Sequence, residues 1–162
     1  MSSNDAVPGP PMIDRDLYFD DFKPGDTFQS APLLISEALI VEFARFYDPQ
    51  VFHLDPEAAK ESMYGGLIAS GLQTIALTFK LFFETGALAA SSLGSPGLDE
   101  VRWKMPVRPG ETLHVVAEVL DSRPSTSKPD RGIVRVLYTT LNQRHEVVMT
   151  LIGNQLLRRR PA

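Results

Sequence analysis

Residues 64–86 read YGGLIASGLQTIALTFKLFFETG, and this stretch decides the predicted fold. Few charges occur between Gly65 and Glu84, while small residues at the start give way to bulky aromatic residues at the end. A helix that is apolar on nearly all sides must be enclosed by the rest of its domain. We therefore predict a long, central, buried helix here.

The sequence after this helix changes to a period of two residues. Val101, Trp103 and Met105 alternate with Arg102 and Lys104, which is the pattern of a strand with one buried face and places Trp103 in the core. Further strands are predicted at 113–119, 133–141 and 147–157. The short polar turns between them favour antiparallel neighbours. The predicted class is α+β, with an antiparallel sheet wrapped around the central helix.

The N-terminal part of the chain supplies shorter elements. We predict a flexible arm at residues 1–13, a strand at 27–35 and a helix that begins after Ser36 and ends at Asp48-Pro49. A short helix follows at 55–62, with Asp55 as its N-cap and Pro56 in its first position. Residues 14–162 are then expected to form one domain, as their length suggests.

Composition excludes several classes of protein. The chain of 162 residues has a net charge of -4, which argues against a nucleic-acid binder. It has no cysteine, and its three histidines at 53, 114 and 145 lack the spacing of metal ligands. No apolar run reaches membrane-spanning length, and the N-terminus lacks the apolar region of a signal peptide. We expect a soluble cytoplasmic protein without a metal or an organic cofactor.

The stretch YDPQVFHLD, residues 47–55, carries the candidate chemistry. Asp48 and His53 are separated by four residues. One interpretation is purely local, because Asp before Pro commonly starts a turn or caps a helix. The other is that the carboxylate and the imidazole bind the same water, since histidine titrates near neutral pH and can act as a general base.

These motifs resemble the MaoC-like (R)-specific enoyl-CoA hydratases. The resemblance runs from about residue 18 to 158 and rests on YFDDFKPGD, YDPQVFHLDPEAA, YGGLIASGL and VRWKMPVRPGETL. The family pattern usually reads Gly-Asp-x-Asn-Pro-x-His. Here Tyr47, Gln50 and Val51 replace the glycine, asparagine and proline, and Ser70-Gly71 replaces the usual His-Gly before the central helix.

The resemblance implies a hot-dog fold and an acyl-CoA hydratase or dehydratase of fatty acid metabolism. It implies catalytic roles for Asp48 and His53, with the backbone N–H of Gly71 stabilising the charge on the thioester oxygen. Coenzyme A would enter only as part of the substrate, so no separate cofactor is required. The resemblance also implies a homodimer, or a dimer of dimers or trimer of dimers. A packing role for Gly71 against a strand remains open.

The remaining candidate residues would contact substrate. Walls of an acyl pocket are expected from Tyr47, Val51, Phe52, Tyr64 and the phenylalanines at 79, 82 and 83. Ser70 could bind substrate or bond back to its own helix. Arg102, Lys104 and Arg108 form a basic group that could meet the phosphates of coenzyme A, whereas Arg158–Arg160 are expected to be a solvated tail.

Two alternative functions share the same fold. A hot-dog thioesterase commonly carries its acid on the central helix, but this helix offers only Gln73, Thr74 and Thr78 before Glu84. A non-catalytic acyl-binding subunit would have no need to keep both Asp48 and His53. Hydration of an enoyl-CoA, or the reverse dehydration, is therefore the favoured interpretation.

Overall fold

The computed structural model describes residues 13–162. The predicted arm at 1–13 lies outside the described residues except for Ile13. Ile13 packs against the hydrophobic core, and its N–H donates a hydrogen bond of 3.2 Å to the carbonyl of Thr85. The folded domain therefore includes Ile13.

The α-helices of the described chain all lie between Glu37 and Phe83. Within residues 13–162 the α-helices are α1 (Glu37–Tyr47), α2 (Val51–Leu54), α3 (Pro56–Ala59) and α4 (Gly71–Phe83). The predicted caps of α1 and α3 are confirmed, because Ser36 accepts from the N–H of Leu39 and Asp55 accepts from two backbone N–H groups of α3. The one-turn helix α2 was not predicted, and it carries His53.

Helix α4 begins at Gly71, so seven residues of the stretch 64–86 precede it. Residues 67–70 are buried but not helical. Their backbone N–H groups bond to neighbouring segments instead. The N–H of Ile68 donates to the carbonyl of Phe52, and the N–H of Ala69 donates to the carbonyl of Val107. Apolar composition alone did not separate this buried extended segment from the helix that follows it.

The strands form one antiparallel sheet. In the described part of the chain they are β1 (Thr27–Gln29), β2 (Leu33–Leu34), β3 (Gly97–Trp103), β4 (Thr112–Pro124), β5 (Arg131–Leu141) and β6 (Val147–Arg158). The order across the sheet is β1-β4-β5-β6-β3, and β2 also pairs with β4. The single strand predicted at 27–35 is two short strands. The predicted antiparallel neighbours β4–β5 and β5–β6 are confirmed, whereas β3 pairs with β6 and not with β4, which follows it in sequence.

The core lies between α4 and the inner face of the sheet. Tyr138 of β5 is fully buried and meets Phe79 and Phe82 of α4 at ring-centroid distances of 5.3 and 5.0 Å. The inner residues of β4, β5 and β6 alternate with half-exposed residues along each strand. This confirms the predicted α+β class, with the antiparallel sheet packed on a central helix.

The C-terminal tail contacts the N-terminal segment, which corrects the prediction of a solvated end. Arg160 donates a hydrogen bond of 2.7 Å to the carboxylate of Asp21, and the guanidinium of Arg159 lies 5.4 Å from the centre of the Phe19 ring. Phe19 in turn packs on Gly132 of β5, where a Cβ would lie 2.2 Å from the ring. The two terminal segments therefore close over one end of the sheet.

Candidate active site

A cleft opens at the N-terminal end of α4. Its volume is about 510 Å³. Three parts of the chain surround it: the α1–α2 region, the first turn of α4 with the segment before it, and the end of β3 with its connection to β4. The lining residues are Asp48, Gln50, Phe52, His53, Tyr64, Ile68, Ala69, Gly71, Leu72, Thr74, Trp103, Lys104, Met105, Pro106 and Val107.

Asp48 is held at the end of α1. Its N–H donates to the carbonyl of Ala44, and Pro49 stops the helix from continuing. Both carboxylate oxygens have donors: Ser70 Oγ donates to Oδ2 at 2.6 Å, and Gln50 Nε2 donates to Oδ1 at 2.7 Å. The carboxylate is thereby fixed at the cleft with only 18% of its side chain exposed.

His53 lies on α2 and is buried, with 4% of its surface exposed. Its Nδ1 lies 2.7 Å from the carbonyl oxygen of Ile68. A carbonyl only accepts, so Nδ1 carries the proton. In the neutral ring this leaves the lone pair on Nε2, which lies 3.3 Å from Oδ2 of Asp48. The backbone of Ile68 therefore selects the tautomer whose basic nitrogen is next to the carboxylate.

Competing effects determine the ionisation of Asp48. Partial burial opposes the charged form, but hydrogen bonds from Ser70 and Gln50 and the neighbouring His53 outweigh it. The pKa of Asp48 is therefore lowered from its usual value. The carboxylate is ionised at neutral pH.

While the imidazole is neutral, the pair presents two proton acceptors to one another. A carboxylate oxygen and an unprotonated Nε2 cannot form a hydrogen bond without a proton between them. A water beside the pair could donate one hydrogen to each group. A nucleophilic water held by a carboxylate and an imidazole is suited to general base chemistry.

Gly71 is the first residue of α4 and lines the cleft. The N–H groups of the first helical turn have no partner within the helix, and the helix dipole makes this end favourable for negative charge. Gly71 also packs closely against a strand, which is the other role considered for this glycine. A Cβ at this position would lie 2.7 Å from two indole atoms of Trp103, a residue of β3.

The structure brings together only part of the predicted substrate-binding set. Phe52, Tyr64 and Lys104 line the cleft. Tyr47 and Val51 are exposed at 69% and 58% and lie outside the lining.

The residues of the predicted basic group make different contacts within the protein. Arg102 is bound to the carboxylate of Glu100, whereas Arg108 donates a hydrogen bond of 2.6 Å to the carbonyl of Tyr64. Ser70 is fully buried and donates to Asp48 while it caps α4 through the N–H of Leu72. Its contacts are thus with the protein's own site and helix.

Two expectations about aromatic residues are wrong. Phe79, Phe82 and Phe83 do not line the cleft, because they lie at the opposite end of α4, where Phe79 and Phe82 contact Tyr138. Trp103 is not in the core: it is 52% exposed and lines the cleft. The alternation in residues 101–105 did not reveal that β3 is a strand at the edge of the sheet.

Sequence reasoning also missed several groups that shape the site. Gln50, two residues after Asp48, is a polar side chain close enough in sequence to have been a candidate partner. The Ile68 carbonyl carries no signal, because any residue has one. Met105, Pro106 and Val107 follow a strand directly and line the cleft, which is a common place for site residues.

Two further features of residues 13–162 concern metal sites and membrane spans. No group of three or more His, Cys, Asp or Glu residues there is arranged to hold a metal ion. Over the same residues, no helix is long and apolar enough to cross a membrane.

Comparisons with known proteins bear on the family and the fold of the chain. The MaoC like domain family matches residues 21–141. The MaoC-like dehydratase of Rhodospirillum rubrum is 43% identical, with a TM-score of 0.83 over 90% of this chain and 99% of that one. Protein YdeM of Bacillus subtilis is 36% identical over 79% of this chain and 89% of its own length. The (R)-hydratase PhaJ1 of Pseudomonas aeruginosa, at 22% identity, covers 90% of this chain and 88% of that one with a TM-score of 0.69, and this likeness supports the hot-dog fold.

Proposed function

The chain belongs to the MaoC-like dehydratase family, and we propose that it adds water to the double bond of a 2-enoyl-CoA thioester, or removes it in reverse. Membership of the family supports a hydratase or dehydratase role. The acyl-CoA substrate and the role of each residue are our proposal. The observation that carries it is the Asp48–His53 pair, whose basic nitrogen and carboxylate face one another at 3.3 Å beside a largely apolar cleft.

In the proposed reaction, His53 acts as the general base. Its Nε2 takes a proton from water while the oxygen of that water forms a bond to the β-carbon. The electron pair of the double bond moves toward the thioester carbonyl, whose oxygen gains negative charge. The Asp48–His53 pair then delivers a proton to the α-carbon, so that the overall change is the addition of one water.

The negative charge on the thioester oxygen needs a donor. We propose the N–H of Gly71, at the start of α4, in this role. A fixed backbone donor at a helix N-terminus stabilises a developing oxyanion without reorganisation. Removal of one such donor in other enzymes costs about 10²–10³ in turnover.

A hydration assay tests the proposal directly. Purified protein should decrease the absorbance of 2-enoyl-CoA thioesters, and a series of chain lengths and branching would define the acyl group. Release of free thiol, measured in parallel, reports thioester hydrolysis. Hydration without thiol release is the expected outcome. Thiol release without hydration would favour a thioesterase, and binding without either reaction would favour an acyl-binding subunit.

Lys104 is the best candidate for contact with the coenzyme A phosphates. It is exposed and lines the cleft, and among the described residues it has no carboxylate partner within ion-pair distance. The nearby Arg102, in contrast, is paired with Glu100. An exposed charge pair contributes up to about 1 kcal/mol, or roughly a fivefold change in affinity.

Two carriers of the same acyl group separate this contact from the chemistry. Lys104→Ala should raise the KM for an enoyl-CoA about three- to fivefold, and leave the KM for the N-acetylcysteamine thioester unchanged because that carrier has no phosphate. Lys60→Ala is the matched control, since Lys60 is bound to Glu57 away from the cleft. An equal effect on both carriers would contradict a phosphate contact.

We also propose that the chain forms a homodimer, or a larger assembly of dimers. The described residues pair with β3 only through β6, so the other side of this edge strand is open. Leu98 and Trp103 on β3 are both substantially exposed. Open strand edges are commonly covered by another chain. A stable monomer at micromolar concentration with full activity, measured by sedimentation, would contradict the proposal.

A further inference from the structure

Trp103, the only tryptophan of the chain, lies in an unusually exposed position. It ends the edge strand β3, where its backbone pairs with Met149 of β6. Its side chain does not enter the core but lies across the start of α4. More than half of its surface remains exposed, although indole is among the side chains that gain most from burial.

Two contacts join the indole to Gly71. Its Nε1–H donates a hydrogen bond of 3.1 Å to the carbonyl oxygen of Gly71. The ring also fills the space where a side chain at position 71 would begin, with two indole atoms 2.7 Å and a third 3.0 Å from an ideal Cβ. The indole therefore contacts Gly71 both through its backbone oxygen and at its α-carbon.

We infer that Trp103 is a positioning residue, which holds the first residue of α4 so that the Gly71 N–H stays aimed at the thioester oxygen. This inference rests on the proposed hydratase function and deepens it. Trp103 acts through Gly71 and needs no contact with the reacting atoms.

The physical need for such a residue follows from the behaviour of helix ends. Terminal turns open easily because their first N–H groups have no partner within the helix. At this end, Ser70 holds the N–H of Leu72 through its side chain, and Trp103 holds the Gly71 carbonyl. A donor must already be in place when charge develops, and misplacement by about 1 Å can cost 10²-fold in rate.

Trp103→Phe tests the inference, because phenylalanine keeps an aromatic ring and removes the N–H. We expect kcat for an enoyl thioester to fall about tenfold or more, with KM within about threefold of the parent, since the lost stabilisation belongs to the transition state. Phe83→Leu is the matched control. Phe83 is an aromatic residue of α4 that is 45% exposed and lies outside the cleft, so this change should leave kcat unchanged.

A binding measurement separates positioning from simple contact. The dissociation constant of a saturated acyl-CoA, which has no double bond to hydrate, should change less than threefold in Trp103→Phe by calorimetry. Raised KM and dissociation constant with unchanged kcat would overturn the inference, because Trp103 would then only bind substrate. An active parent with an equally active, folded Trp103→Phe variant would overturn this inference alone. A parent without hydration activity would overturn the proposed function and this inference together.

Discussion

The two ends of α4 use buried polar groups in opposite ways. At the N-terminal end, the Asp48 carboxylate and a neutral His53 place two proton acceptors next to each other beside an open cleft. Toward the C-terminal end, Tyr138 accepts from Gln155 at 3.0 Å, and the hydroxyls of Thr78 and Thr140 bond to each other at 2.6 Å. Each of these two core contacts joins a donor to an acceptor, whereas the contact between the Asp48 carboxylate and a neutral His53 lacks a proton that a water could supply.

The pKa values of the ionisable groups at the two ends of α4 are shifted in opposite directions. Burial raises the pKa of Tyr138, and its hydrogen bond from Gln155 only partly offsets this. At Asp48 burial also opposes ionisation, but the hydrogen bonds from Ser70 and Gln50 prevail and the pKa is lowered. The comparison teaches that hydrogen-bond donors can keep a partly buried carboxylate charged, whereas a single donor does not offset the full burial of a phenol.

The largest effect should come from Asp48→Asn, which is expected to lower kcat by about 10²–10⁴. The new amide can donate to Nε2 of His53 and so occupy the basic lone pair. Asp55→Asn is the matched control: it removes a carboxylate from the same stretch and keeps a good N-cap, so activity should remain. Hydration kinetics check both variants.

The pair should also behave as one unit. His53→Ala is expected to cost a similar factor, and the double variant should lose little more than either single one. Near-full activity of folded Asp48→Asn would mean that the carboxylate only ends α1, and multiplicative losses in the double variant would show that the two residues act separately.

Phe82→Ala, near the C-terminal end of α4, should lower stability and leave activity nearly unchanged. Phe82 is 2% exposed and packs on Phe28 and Tyr138, so its truncation should lower the free energy of unfolding by about 3–5 kcal/mol. The kcat of the fraction that remains folded should be nearly unchanged. Urea unfolding and kinetics at low temperature check this, and a large loss of kcat in folded protein would break the contrast between the two ends.

Tyr138→Phe should have a smaller effect of the same kind. Its hydroxyl accepts from the buried amide of Gln155, and the change leaves that donor without its partner. The expected loss is about 1–3 kcal/mol of unfolding free energy, again with kcat unchanged. Tyr47→Phe is a suitable control for urea unfolding, because Tyr47 is 69% exposed and its hydroxyl can be solvated by water.

Ser70→Ala should mainly shift a pH dependence. A carboxylate with a lowered pKa adds stability that is present above its unfolded-state pKa and is lost as pH falls through its folded-state pKa. Removal of the Ser70 donor raises the folded-state pKa of Asp48 toward its usual value. Less stabilisation from Asp48 is then present at neutral pH, and its loss is complete at a higher pH than in the parent.

Urea unfolding at stepped pH, with Asp48→Asn as the reference in each background, isolates the contribution of Asp48. Ser36→Ala is the matched control, because it removes the N-cap of α1 at a similar cost of about 1 kcal/mol without touching Asp48. Equal pH dependence in the Ser70→Ala and parent backgrounds would mean that Ser70 does not set the ionisation of Asp48.

Much of the fold could be predicted from the sequence, because many of its elements depend on patterns of neighbouring residues. The period of two predicted β4, β5 and β6, and capping residues predicted the starts of α1 and α3. The start of α4 could not be located from composition, because residues 67–70 are as apolar as the helix and differ only in which backbone groups they bond. The exposure of Trp103 follows from the position of β3 at the sheet edge, which depends on long-range pairing.

The candidate site was partly accessible for the same reason. Asp48 and His53 lie close in sequence, so a motif could bring them together. The tautomer of His53 depends on the carbonyl of Ile68, 15 residues away, and the cleft wall depends on Trp103, 32 residues from Gly71. Such contacts have no local pattern, and the phenylalanines of α4 were assigned to the wrong end of the molecule.

The contact between the two terminal segments has a consequence for the stability of this part of the fold. Asp21 and Arg160, 139 residues apart, are held at 2.7 Å. This contact therefore limits how far the N-terminal segment can move away from the end of β6. Opening of either segment would uncover the Phe19 ring that packs on Gly132. The stability of this end of the sheet is thus shared by two segments that are far apart in sequence.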